Sequence, residues 1–131
     1  MTDLTSLRLN APFLLALPPR MLETVWKSLP RETWKEAAAY WPFLRSEAQT
    51  PPEGDWRMWL FMGRRGAGKT RTGAEWVNAL ASSGAAMRIG LVGATMREAR
   101  QVMVEGDSGL LNIAPAGERP DYERYAGRLR W

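Results

Sequence analysis

Hydrophobic positions along the chain follow two different rhythms. Between residues 20 and 44 the apolar side chains are Met21, Leu22, Val25, Trp26 and Leu29, then Trp34, Ala37, Ala38, Trp41 and Leu44. Intervals of three and four are the mark of an amphipathic helix. They predict helices over 20–29 and 31–44, divided by Pro30, a residue that a first helical turn tolerates. Aromatic side chains at this spacing serve packing, so Trp26, Trp34 and Trp41 are expected to seat a helical hairpin against the main domain. Residues 46–55 are polar and contain Pro51, Pro52 and Gly54, the composition of a linker. The chain thus divides into a helical N-terminal segment, 1–45, a linker, 46–55, and a main domain, 56–131.

From Trp56 the rhythm changes. Residues 56–62 form a short aromatic-rich run bounded by turn formers and read as a strand. Gly63–Gly68 is a glycine-rich loop. Lys69–Ser83 carries Thr72, Trp76, Val77, Leu80 and Ala81 at helical spacing, and Gly84 follows as a stop. Met87–Val92 is nearly all apolar, as a buried parallel strand is. Met96–Glu105 reads as a helix with Ala99, Val102 and Met103 inward, Thr95 as its N-cap and Glu98 completing a capping box. Arg124–Trp131 reads as the start of a third strand. Alternating strand and helix predict an α/β fold: a parallel sheet with right-handed crossovers.

Composition removes several chemistries. The 131 residues contain no cysteine and no histidine. Disulfides, thiolate or imidazole metal sites, and cysteine or histidine catalysis are therefore excluded. A metal here is a hard cation held by oxygens, with Mg²⁺ the natural candidate. The net charge of +4 rests mainly on arginine, whose planar fork suits phosphate. That excess allows a nucleic-acid partner and equally describes a solvated basic surface. The apolar stretch Ala11–Leu17 is short and broken by Pro12, and Asp3 stands where a secretory signal carries positive charge. A cytoplasmic protein with no membrane association is expected.

The candidate chemistry lies in residues 63–70, Gly-Arg-Arg-Gly-Ala-Gly-Lys-Thr, which match G-x-x-x-x-G-K-[ST] at every fixed position. A chance match in a chain of this length is roughly a one-in-several-hundred event on average composition, so the pattern carries weight. Gly63 and Gly68 permit positive φ and remove the Cβ that would block a close phosphate. The loop amides of Gly63, Arg64, Arg65, Gly66, Ala67 and Gly68, with the helix N-terminus behind them, face an anion with partial positive charge. Lys69 is expected on the β- and γ-phosphates of ATP and Thr70 on Mg²⁺. Arg64 and Arg65 have two readings: stabilisation of charge on a transferring γ-phosphoryl group, or pairing with carboxylates and solvent.

The run from Trp59 through the loop to Val77 resembles the Walker A region of phage large terminase subunits. So, in order, do Arg88–Thr95, Ala99–Leu111 and Arg119–Tyr122, and the resemblance covers roughly Trp56 to Trp131. It implies a partial P-loop NTPase of the RecA-like, additional-strand class, an ATPase that drives double-stranded DNA into a capsid. Its implied partners are the portal protein and the small terminase subunit, at the procapsid in the host cytoplasm. Terminases carry an arginine four residues before the Walker A lysine; Arg65 holds that place and is implied as the charge-stabilising, catalytic arginine beside Lys69.

The resemblance also implies a Walker B aspartate, an adjoining catalytic glutamate, a coupling motif and a nuclease domain, none of which these 131 residues contain. The ending at Arg130–Trp131 reads as a truncation within a strand. The chain is accordingly expected to bind nucleotide weakly and to hydrolyse it barely. Two alternatives stand beside the motor: a nucleotide-binding remnant of a split or decayed prophage gene without catalysis, and an unrelated P-loop enzyme such as a small kinase or RecA-like ATPase.

Overall fold

The computed structural model describes residues 10–115 and 117–131. Asp3, read as contrary to a secretory signal, lies outside them. The chain forms two compact units, one ending at Phe61 and the other spanning Met62–Trp131.

The first unit is helical. Helix α1, Ala11–Leu15, starts where the Asn10 side chain accepts the Phe13 amide at 2.8 Å. Helices α2, Pro19–Ser28, and α3, Arg31–Ala39, follow the predicted periods. The predicted helix over 31–44 is in fact two, because Pro42 has no N–H to donate and its ring crowds the preceding turn. The chain breaks at Tyr40 and restarts as α4, Trp41–Leu44, with that proline in its first turn. Leu14, Ala37 and Phe43 form the buried centre, with Leu22, Val25 and Trp34 packed around it. Trp26 and Trp34 stack with ring centroids 4.5 Å apart, and the Trp34 indole donates to the Trp26 carbonyl. A 3₁₀ turn, Glu47–Gln49, interrupts the linker, boxed at its start by Ser46 and Gln49.

In the second unit the 14-residue helix α5, Lys69–Ser82, is the longest element. Helix α6, Met96–Glu98, is capped by the Thr95 hydroxyl, which accepts the Glu98 amide at 3.1 Å. It runs directly into a π-helical stretch, Ala99–Val104. Helix α7, Leu110–Ile113, follows. Strands β1, Asp121–Glu123, and β2, Arg128–Arg130, pair antiparallel with Tyr122 opposite Leu129. The core joins Ala74 and Val77 of α5 to Leu110 and Ile113 of α7, with Trp76, Ile89, Leu91 and Leu129 against it. Leu110 is 1% exposed; a leucine buried to this extent contributes about 2–3 kcal/mol.

The expected α/β fold with a parallel, RecA-like P-loop sheet is not what forms. Among the described residues the only sheet is the antiparallel pair β1–β2, and the rest is helix and loop. Residues 56–62 and Met87–Val92, read as parallel strands, form no strand and join no sheet among the described residues. The physical reason is in their side chains. A parallel strand needs cover on both faces, yet Met58, Leu60, Met62, Met87 and Val92 are 73–94% exposed. Ile89 and Leu91 pack, partly buried, against the helical core. Arg124–Trp131 does contain a strand, but it turns back on β1 through a tight loop that ends at Gly127 with φ +60°. No helix among the described residues is long and apolar enough to cross a membrane.

Candidate phosphate-binding site

The loop Gly63–Gly68 enters α5 through a left-handed residue. Gly68 is the N-cap, at φ 76° and ψ 19°, and no side chain caps the helix behind it. A residue with a Cβ would be strained there. Gly66 also has positive φ, 83°. Gly63 does not, and its requirement is space: a Cβ built on it would lie 2.7 Å from the Ala67 Cβ. The reading that Gly63 and Gly68 supply the positive φ angles is thus corrected: Gly66 and Gly68 supply them, while Gly63 supplies room. A third glycine in a pattern that asks for two was the available signal.

Lys69 folds back over the loop. Its Nζ donates to the carbonyls of Gly63 at 2.8 Å and Arg64 at 2.9 Å. The Ala67 amide closes a turn onto the Arg64 carbonyl at 3.1 Å. Thr72, 2% exposed, returns both its amide and its hydroxyl to the Gly68 carbonyl at 2.9 Å. These contacts tie the loop to the first turn of α5 from both sides. Nothing in the sequence pattern identified Thr72 as part of that anchor, since mid-helix threonine reads as a packing residue.

Charge around the loop is one-sided. Arg64, Arg65 and Lys69 are exposed and form no ion pair with a carboxylate among the described residues. The nearest carboxylate along α5, Glu75, is held by Arg71 at 2.6 Å. Three uncompensated cations therefore share one short loop with the positive end of a helix dipole. Thr70 sits half-buried in the first turn. Gly63, Arg64, Arg65, Gly66, Ala67, Gly68, Lys69 and Thr70 are thus consecutive on one loop and helix start, and the chemistry they offer is anion binding by backbone amides and cationic side chains.

Among the described residues no group of three or more carboxylates could cage a metal ion. The donor set that fits Mg²⁺ is the Thr70 hydroxyl with oxygens of a bound phosphate, since Mg²⁺ retains waters and takes few protein ligands. Trp56 and Trp59 pack edge to face at 6.1 Å, and Trp59 lies 6.1 Å from Phe61. Among the described residues of the second unit, a shifted titration belongs to the hairpin. Glu123 is held below the usual carboxylate range, first by its hydrogen bond from Arg128 and then by the charges of Arg128 and Arg130. Comparison of the chain with protein-family models, curated proteins and solved structures gives no match.

Proposed function

We propose that this chain binds the triphosphate of ATP–Mg²⁺ at Gly63–Thr70 and serves as the ATP-binding part of a DNA-packaging motor of the large-terminase kind. The observation that carries the binding half is the loop itself. It is exposed, it opens onto an uncapped helix N-terminus, and it gathers Arg64, Arg65 and Lys69 without a neutralising carboxylate. A polyphosphate answers each of these features: it accepts from orphan amides, neutralises the cations and complements the dipole. Lys69 exchanges its two carbonyl partners for β- and γ-phosphate oxygens, a change from neutral to charged acceptors that strengthens each bond. Thr70 offers its hydroxyl to Mg²⁺. Arg65, and less directly Arg64, faces charge on the γ-phosphoryl group. The packaging half rests on the terminase resemblance of Trp56–Trp131, and double-stranded DNA, the portal and the small subunit belong to it.

The test is titration of a fluorescent ATP analogue with Mg²⁺ into the wild-type and Lys69→Ala chains. The expected result is saturable binding that weakens by at least about a hundredfold in the variant, two lost charge-assisted bonds being worth that much. Equal affinity in the two chains would remove the proposal.

A further inference from the structure

A concavity lies in the same unit, lined by residues outside the loop before α5. It is a half-open cavity of about 680 Å³ that includes no residue of Gly63–Thr70. Its floor is apolar, from Val77 and Leu110, and its sides carry Ile89 and Leu129. Two backbone segments bound it. One is Met87–Val92, which joins no sheet among the described residues. The other is β2, joined to β1 along one edge and, among the described residues, to no strand along the other. An apolar floor beside an open strand edge is what an added strand requires: backbone groups to pair with and a surface for every second side chain.

Charge defines which strand fits. Arg88 and Arg100 line the cavity, are exposed, and have no ion-pair partner among the described residues. Arg128 and Arg130 stand on the outward face of β2. The occupied edge of β2 already displays the complement. There β1 places Asp121 and Glu123 opposite Arg130 and Arg128, with Tyr122 opposite Leu129 between them. Glu123 holds both arginines, at 2.7 and 2.8 Å. An acid–apolar–acid strand is thus the partner that β2 selects within its own chain.

We infer that the cavity between Met87–Val92 and β2 binds an extended acidic peptide segment of a partner protein by strand addition, with alternate apolar side chains on the Val77–Leu110 floor and the intervening carboxylates on Arg88 and Arg100. The π-helical stretch contributes Arg100 to this wall, and such irregular turns concentrate at functional positions.

The experiment is fluorescence anisotropy of a labelled six-residue peptide alternating Glu with Val and Ile, titrated with the full chain. Two control peptides, one alternating Lys with Val and Ile and one with proline at a central position, need no change in the protein. Saturable binding of the acidic peptide is expected, weakened at least about tenfold in Arg88→Ala/Arg100→Ala and lost with proline, which cannot donate to a ladder. The double variant changes two exposed side chains, and its circular dichroism is expected to match the wild type. Equal binding of the lysine peptide, or undiminished binding of the proline peptide, would overturn the inference. So would self-association of the chain that Arg88→Ala/Arg100→Ala abolishes without any peptide binding, since the groove would then belong to a second copy.

Discussion

A single methyl group is enough to disturb the loop ahead of α5. The 2.7 Å approach between a Cβ at position 63 and the Ala67 Cβ leaves no room for Gly63→Ala, and an alanine methyl has no rotamer in which to escape. Overpacking of this kind costs about 1–3 kcal/mol, and the strain falls on the carbonyl that holds Lys69. Gly63→Ala is therefore expected to weaken nucleotide affinity about tenfold, and Gly63→Ala/Ala67→Gly to recover most of it. Isothermal titration of the three proteins with ATP–Mg²⁺ checks both outcomes; a double variant as weak as the single one would assign the loss elsewhere. The loop and the start of α5 were legible beforehand, because the glycines and the helical period after Lys69 mark both; the ligand they hold is the proposal. Gly66 and Thr72 were not legible. The first depends on the φ angle of a position that the pattern leaves free, and the second on a side chain returning to a carbonyl four residues back.

Among the elements, the β1–β2 hairpin is the one most dependent on charge. Glu123 receives Arg128 at 2.7 Å and Arg130 at 2.8 Å, and the bond from Arg128 is the main reason that its carboxyl titrates low. A carboxyl with a depressed folded pKa stabilises fully above its unfolded value, about 4.3 for glutamate. It loses that contribution as pH falls through the lower folded value. Amide exchange protection of Arg128–Arg130 is thus expected to be flat from neutrality to about pH 5 and to fall on further acidification. Glu123→Gln should reduce protection at neutral pH and flatten the profile; an unchanged acid limb in that variant would place the sensitivity on another group. Helices α2, α3 and α5 were recognisable from their periods of three and four. The break at Tyr40 was written in Pro42, but periodicity alone passes over it. The extended runs 56–62 and Met87–Val92 misled the reading because an apolar run records a preference for burial and not the presence of a neighbour.

Taken as a whole, the molecule carries its excess charge on exposed arginines. The net charge is +4, and Arg64, Arg65, Arg88, Arg97 and Arg100 are all exposed without an ion pair among the described residues. If the packaging proposal holds, contact with duplex DNA is through phosphates, and affinity then tracks counterion release. Anisotropy with labelled duplexes of unrelated sequence is expected to give equal affinities at a given salt, with a log–log salt slope steeper than about −2. Affinity indifferent to salt, or a marked preference for one sequence, would contradict a phosphate-only mode. Composition placed the boundary at the linker 46–55, whereas the compact units part between Phe61 and Met62. The sheet was not foreseen, because pairing between distant segments is a tertiary choice that local pattern underdetermines.

The winding of Ala99–Val104 has a consequence for how this segment tolerates length change. Ala99 and Val104 are both buried although five positions apart, while Val102, assigned inward on α-helical spacing, is 43% exposed. In an α-helix a five-residue separation turns about 140°, which would drive one of the pair outward. The wider turn, visible in the Glu105 amide reaching the Arg100 carbonyl at 2.9 Å, keeps both facing the core. Removing the exposed Gln101 leaves them four apart, the spacing at which ordinary α winding performs the same task. Excision of that one codon should therefore leave the melting temperature nearly unchanged, whereas excision of a residue from the middle of α5 should collapse it.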